Sequence, residues 1–247
     1  MSDGTDARLL LCSTADDLAQ AVAERLVVLL TDVQGRGRVP SVALTGGSIA
    51  QKIHRAVLDT PGQGEVDWSR VDFWFGDERY VAADDPDRNA VQAREALLDH
   101  LPVDPARVHE MPASDAGLES LTAAAEAYGD EVRRHGSGLF DLVMLGVGPD
   151  GHVASLFPGQ PTLDVDDTIA VAVPDSPKPP PERISLTFGA LNRAREVWFV
   201  VSGEAKAGAA AQAIAGAPVH EIPAAGVRGH EQTLWFLDEG AAGELNG

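Results

Sequence analysis

The sequence holds a single cysteine, Cys12, among 247 residues. An intramolecular disulfide is therefore impossible, and a cysteine-based zinc site is excluded. One thiol fits a reducing compartment. Basic residues are also scarce, nineteen against thirty-eight acidic ones, for a formal net charge of −19. Phosphate backbones are bound through Lys/Arg patches, so this charge argues against a nucleic-acid partner. It also means that any site for an anionic ligand must be locally positive against an acidic background. No stretch approaches the roughly 20 apolar residues of a membrane span. The opening MSDGTDARLL lacks the basic segment and apolar run of a secretory signal. A cytoplasmic protein with no membrane partner is expected, as a monomer or small homo-oligomer.

Metal and cofactor signals are missing as well. His54, His100, His109, His135, His220 and His230 show no ligand spacing such as H-x-x-x-H and read as surface or structural residues. The run Asp84-Asp85-Pro86-Asp87 lacks the rest of a calcium-loop pattern and reads as a solvated loop. The expectation is no cofactor and no metal.

What is present is enough apolar material, 44% of residues, to bury a core. The length of residues 1–247 allows one large α/β domain or two small ones, and neither a long linker nor an internal repeat is present. Short apolar runs alternate with longer amphipathic stretches, the pattern of an α/β fold. Ser13 or Thr14 caps a helix running to Val33, with Leu18, Val22, Leu26 and Leu29 on one face. Ser41–Leu44 reads as a buried strand and Ile49–Leu58 as a helix. Val71–Phe75 is a second strand, ending in the polar turn Gly76 to Arg79. Asn89–Leu98 and Leu118–Arg134 read as helices, and Leu139–Leu145 as a third strand. Ile169–Val173, Val197–Val201 and Thr233–Leu237 are further strands, and Glu204–Ile214 is a helix. Ser176–Glu182, with four prolines and one lysine, is an irregular loop.

Three strands run into glycine-bearing polar turns: Thr45-Gly46-Gly47-Ser48, Gly76 to Arg79, and Gly146 to His152. Ligands of open α/β sheets sit beyond the carboxyl ends of strands, so these turns are expected to converge on one site. Glycines at Gly46 and Gly47 bare backbone N–H groups at a helix start, which makes an anion site; an ordinary tight turn would look the same. It is not a Walker A loop, because no Lys-Ser/Thr pair follows. Gly146 to Gly151 matches G-x-G-x-x-G, with Asp166 and Asp167 near the distance of a ribose-binding acid. A dinucleotide site is nevertheless rejected. Pro158-Gly159 cuts short the helix that the fingerprint needs, and Pro149 stiffens the turn.

His152 follows Asp150-Gly151 in that turn. An isolated histidine there would cap a short helix. Beside a strand end, glycines and a carboxylate, it is a candidate to take a proton from water. Arg79 has the planar fork that suits a phosphate or oxyanion, although a surface ion pair is the plainer alternative. Lys206 offers a second positive charge, or is a solvated helix lysine.

At these residues the sequence resembles the 6-phosphogluconolactonases. The matching blocks are Ala43 to Ser48, Phe75 to Val81 with Asp87 to Asn89, Leu145 to Gly159, Arg183 to Ala194, and Val201 to Ala207. The resemblance implies one α/β domain with a mostly parallel open sheet flanked by helices, like that of glucosamine-6-phosphate deaminase. It implies hydrolysis of 6-phosphoglucono-1,5-lactone in the oxidative pentose phosphate pathway. The implied catalytic residues are His152 as base, with Asp150 and Arg79. The implied substrate and phosphate residues are Gly46, Gly47, Ser48, Asp77, Asn89, Gly148, Gly151, Arg183 and Lys206. The chain departs from the family pattern at Arg88, often serine, and at Ala225, usually small and polar.

Two other readings stand beside this one. A deaminase-like isomerase also resembles the chain at Asp77, Asp150 and His152, but pairs its histidine with an acid five residues on. That position is Phe157 here, which cannot transfer a proton. A non-catalytic sugar-phosphate-binding protein is the third reading. A DNA-reading regulator of that kind would need extra length and a different charge.

Overall fold

The computed structural model describes residues 7–135 and 139–245, so most of the opening segment read above lies outside them. In chain order the elements are β1 (Arg8–Cys12), α1 (Ala15–Gly35), β2 (Ser41–Leu44), α2 (Ser48–Asp59) and β3 (Asp72–Phe75). Next come β4 (Asp77–Arg79), α3 (Asn89–Ala96), α4 (Leu121–His135) and β5 (Leu142–Leu145). The remainder is β6 (Ala170–Val173), β7 (Arg183–Leu186), α5 (Phe188–Leu191), β8 (Glu196–Val201), α6 (Ala207–Ile214) and β9 (Gln232–Asp238).

Six strands form a parallel sheet in the order β1-β9-β8-β5-β2-β3. Parallel sheets are buried on both faces, which is why their strands read as continuous apolar runs. Along β8, Val197, Phe199 and Val201 enter one core while Trp198 and Val200 enter the other. The second of these cores is filled by α1, α2 and α3; the first by α4, α6 and a small sheet.

Helix α1 starts where a capping box holds it. The Thr14 hydroxyl accepts from the Asp17 N–H, and the Asp17 carboxylate accepts from the Thr14 N–H, each at 3.1 Å. Leu18, Val22 and Leu26 are buried as expected, but Leu29 is only partly so and Leu30 fills the core instead. Leu118 to Ser120 precede α4 rather than belong to it; the Ser120 hydroxyl accepts from the Ala123 N–H at 3.1 Å.

Of the second sheet only β6, within the expected Ile169–Val173, was legible. The sheet is antiparallel, three-stranded, in the order β4-β7-β6. Asp77–Arg79 is therefore a strand, not the polar turn expected. Charged residues are poor strand formers in isolation, but pairing with β7 sets Arg79 opposite Arg183.

The order in which strands are added to the sheet reverses between β2 and β5. From β2 the chain builds outward to β3; from β5 it builds the other way through β8 to β9. The carboxyl ends of β2 and β5 therefore open onto a switch-point crevice, the usual place for a ligand in such sheets.

Candidate active site

A cleft of about 230 Å³ occupies that crevice. The turn after β2 and the turn after β5 form its two walls, tied by a bond from Gly146 N–H to the Thr45 hydroxyl at 3.3 Å. Another cavity, of about 240 Å³, lies near the amino ends of β5 and β8. There Arg38 pairs with Asp141 at 2.7 Å and Arg195 with Glu231 at 2.8 Å, so its charges are already spent on each other.

His152 faces the cleft and is mostly buried. Its Nδ1 lies 2.5 Å from Asp150 Oδ1. A carboxylate oxygen only accepts, so Nδ1 carries the proton and Nε2 keeps a lone pair for an incoming one. Burial works against ionising Asp150, but the His152 hydrogen bond and the Lys178 charge outweigh it and hold the carboxyl well below its ordinary range. The approach is close enough to demand glycine next door. A Cβ on Gly148 would stand 2.0 Å from His152 Nδ1 and 2.4 Å from Asp150 Oδ1. No helix follows this turn until the single turn Pro161–Asp164, which removes both the dinucleotide reading and the helix-cap reading of His152.

Asp77, Arg79 and Asn89 form the adjoining wall, and Glu78 is buried outside the cleft lining. Asp77 is tied down by Ser155 Oγ at 2.7 Å and Asn89 Nδ2 at 3.2 Å. The Arg79 guanidinium donates to Asn89 Oδ1. Glu78 is buried and accepts from the N–H groups of Asn89 and Ala90, fixing the start of α3. Burial pushes its carboxyl up to about 7, despite the opposing Arg88 charge and those N–H groups. Arg88 itself points inward, donating to the Met111 carbonyl at 2.7 Å and standing 3.8 Å from Glu78. Its departure from the family pattern is thus a core arrangement, away from the cleft.

Lys206 precedes α6 and borders the cleft, as does the Gly46-Gly47-Ser48 turn at the start of α2. Burial pulls its ammonium down, and the Lys178 charge adds to this against the pull of Asp238. Every residue expected in the site borders the cleft except Asp150 and Gly151. Asp150 stands behind His152. Gly151 packs against Ile222, where a Cβ would lie 2.7 Å from Ile222 Cδ1, so it shapes the turn rather than the cleft wall.

Lys178 was missed as a site residue. Its Nζ lies 3.2 Å from Asp150 Oδ1 and 3.1 Å from His152 Nδ1, and it lines the cleft. The only signal was a lone lysine inside a proline run. Arg79, Lys178, Arg183 and Lys206 together make the cleft positive within a strongly acidic chain.

Residues 13–235 match the family of glucosamine-6-phosphate isomerases and 6-phosphogluconolactonases. The chain belongs to this family. Its relatives include the 6-phosphogluconolactonase of Streptomyces coelicolor, 47% identical over 92% of this chain and 90% of the other. That of Mycobacterium leprae is 45% identical over 95% and 97%. The crystal structure of the Thermotoga maritima 6-phosphogluconolactonase superposes with a TM-score of 0.82 at 28% identity, covering 94% of this chain and 100% of that one. A monomeric glucosamine-6-phosphate deaminase shares the fold, with a TM-score of 0.81 at 17% identity over 96% and 99%.

Phe157 is fully buried against the His152 ring. A further constraint lies beside it: Ala154 borders the cleft with φ of 50°, a conformation unusual for a residue with a side chain. No helix among the described residues is long and apolar enough to cross a membrane.

Proposed function

We propose that this chain hydrolyses 6-phospho-D-glucono-1,5-lactone to 6-phospho-D-gluconate, the ring-opening step of the oxidative pentose phosphate pathway, with His152 as general base. The observation that carries the mechanism is the His152–Asp150 pair at the base of a cationic cleft. The substrate phosphate docks on the N–H groups of the Gly46-Gly47-Ser48 turn, with Lys206 and Arg79 balancing its charge. The ring ester then lies toward Gly148 and His152. Nε2 takes a proton from water as the water oxygen bonds to C1. The C1–ring oxygen bond breaks, and the imidazolium returns the proton to the departing oxygen. Asp150 holds the tautomer and offsets the charge that forms on the ring.

Deaminase-like isomerisation is disfavoured by Phe157, which offers no second proton-transfer group beside His152. A purely binding role leaves the Asp150–His152 arrangement without a purpose. A coupled assay tests all three readings. Lactone generated in place by a dehydrogenase is expected to vanish faster with the protein than without it, and glucosamine 6-phosphate to release no ammonia. A lactone decay equal to the spontaneous rate would remove the proposal.

A further inference from the structure

The Ser176–Glu182 loop has four prolines and so few N–H groups of its own to satisfy its carbonyls. Arg183, the first residue of β7, supplies donors from below. Its Nε donates to the Pro180 carbonyl at 3.2 Å, and its Nη2 donates to those of Lys178 at 3.1 Å and Pro179 at 3.2 Å. The residue is only 5% exposed, and its guanidinium lies over the Phe157 ring at 5.8 Å. Ser176 secures the loop from the other side. Its hydroxyl donates to the Lys178 carbonyl at 3.0 Å and accepts from the Lys178 N–H at 3.2 Å. With its backbone held twice over, Lys178 donates from its ammonium to Asp150 Oδ1, which places Nζ 3.1 Å from His152 Nδ1.

We propose that Arg183 is a positioning residue: it acts through the Lys178-Pro179-Pro180 backbone to hold the Lys178 ammonium against the Asp150–His152 pair, and is not a phosphate ligand. Two of its three nitrogens are committed to carbonyls, which leaves only Nη1 for the cleft. Lys178 shares Asp150 Oδ1 with the imidazole. The carboxylate therefore cannot spend its whole charge on stabilising an imidazolium, and a ring that must start neutral to act as base benefits. The groups facing His152 are Asp150 and Lys178 in contact, Phe157 under the ring, and Asp77, Arg79, Arg183 and Lys206 around the cleft.

The test is a mutant cycle on the full chain with Lys178→Met, Arg183→Met and the double variant. The first readout is the NMR titration midpoint of the His152 ring, which does not depend on the lactonase reading. Lys178→Met is expected to raise that midpoint by removing a positive charge. Arg183→Met is expected to raise it too, and the double variant to go no further than Lys178→Met alone. The second readout, turnover, rests on the proposed lactonase activity. Arg183→Met is expected to lower kcat by up to about 100-fold, the effect of a ~1 Å misplacement remote from the chemistry. Because it removes one of the cleft's positive charges, its affinity for inorganic phosphate is expected to fall no further than that of Lys178→Met, which removes another. An unchanged midpoint in Arg183→Met, an additive double variant, or a loss of phosphate affinity beyond that of Lys178→Met overturns the proposal. If the methionine variant does not fold, Arg183→Lys is read in the same cycle, since one ammonium cannot span three carbonyls. A chain without lactonase activity would sink the functional reading and leave the NMR arm to decide Arg183.

Discussion

The ring of Phe157 lies on that of His152, with centroids 4.6 Å apart and planes tilted by 31°. Phe157 is both the floor under the base and a fully buried side chain. Phe157→Ala is therefore expected to destabilise the fold by roughly 3–5 kcal/mol, as for other buried phenylalanines, and to free the imidazole to move. Urea unfolding and kcat measure the two effects. Phe157→Leu keeps the floor apolar and is expected to retain most activity; loss as large as in the alanine variant would show that the aromatic ring itself is required.

Removing the base tests the chemistry. General-base help is worth about 10²–10⁴-fold, so His152→Ala is expected to lose that much kcat while still binding 6-phosphogluconate. Asp150→Asn is expected to lose kcat as well, because an amide can present its NH2 to Nδ1 and select the wrong tautomer. Rates are read after subtracting spontaneous hydrolysis. A wild-type rate in either variant contradicts the assigned role.

Phosphate recognition is tested at Lys206 and Gly46. Lys206→Ala is expected to raise KM more than it lowers kcat; an unaltered KM would make Lys206 a surface lysine. At Gly46 a Cβ would fall 1.8 Å from Asn89 Oδ1, so Gly46→Ala must displace the side chain that orients Arg79. Overpacking of this kind costs about 1–3 kcal/mol. Adding Asn89→Ala makes room, and the double variant is expected to melt no lower than Asn89→Ala alone.

Stability against pH should carry the mark of His54. It is buried on α2, with Nδ1 unpartnered, and burial lowers its pKa from 6.5 to about 4. The unfolded chain then binds a proton between those values that the folded chain refuses. The His54 contribution, taken alone, leaves stability untouched above pH 6.5 and lowers it as pH drops toward 4, by about 3 kcal/mol for a change of this size. His54→Leu is expected to remove that contribution, measured by urea melts of both proteins across the window. A slope identical to wild type would contradict it.

Glu78 has the opposite sign. Its folded pKa is raised from 4.5 to about 7, so its contribution is complete below pH 4.5 and lost as pH rises through 7. Between pH 4.5 and 6.5 the two groups oppose each other. His54→Leu should therefore expose a fall in stability with rising pH that the wild type masks. A stability still rising with pH in that variant would show that Glu78 does not titrate there.

The parallel sheet was legible because burial on both faces writes itself as uninterrupted apolar runs, as in Leu142–Leu145. The glycine turns were legible because their place after strands has a physical reason. Three strands were not seen. Leu9 and Leu11 on β1 remain exposed at an edge, so no core pattern marks them. Strands β4 and β7 are short, polar or preceded by prolines, and exist because each completes the other. In the site, the Gly46-Gly47 turn, Arg79, His152 and Lys206 were found from their chemistry, and Arg183 only through the family resemblance. The burden carried by Lys178 and the donors spent by Arg183 depend on where a loop returns in space, which spacing along the chain does not encode.

One consequence concerns how the cleft comes into being. The bond from Gly146 to Thr45 joins residues 101 apart in sequence, and Ser41 meets Asp141 across 100. Contacts of such long range form slowly, because the intervening chain must be ordered before they reward it. No short fragment can hold both walls. Regain of lactone turnover during refolding will therefore lag the regain of helix signal, and will serve as a clock for the last pairing of β2 with β5.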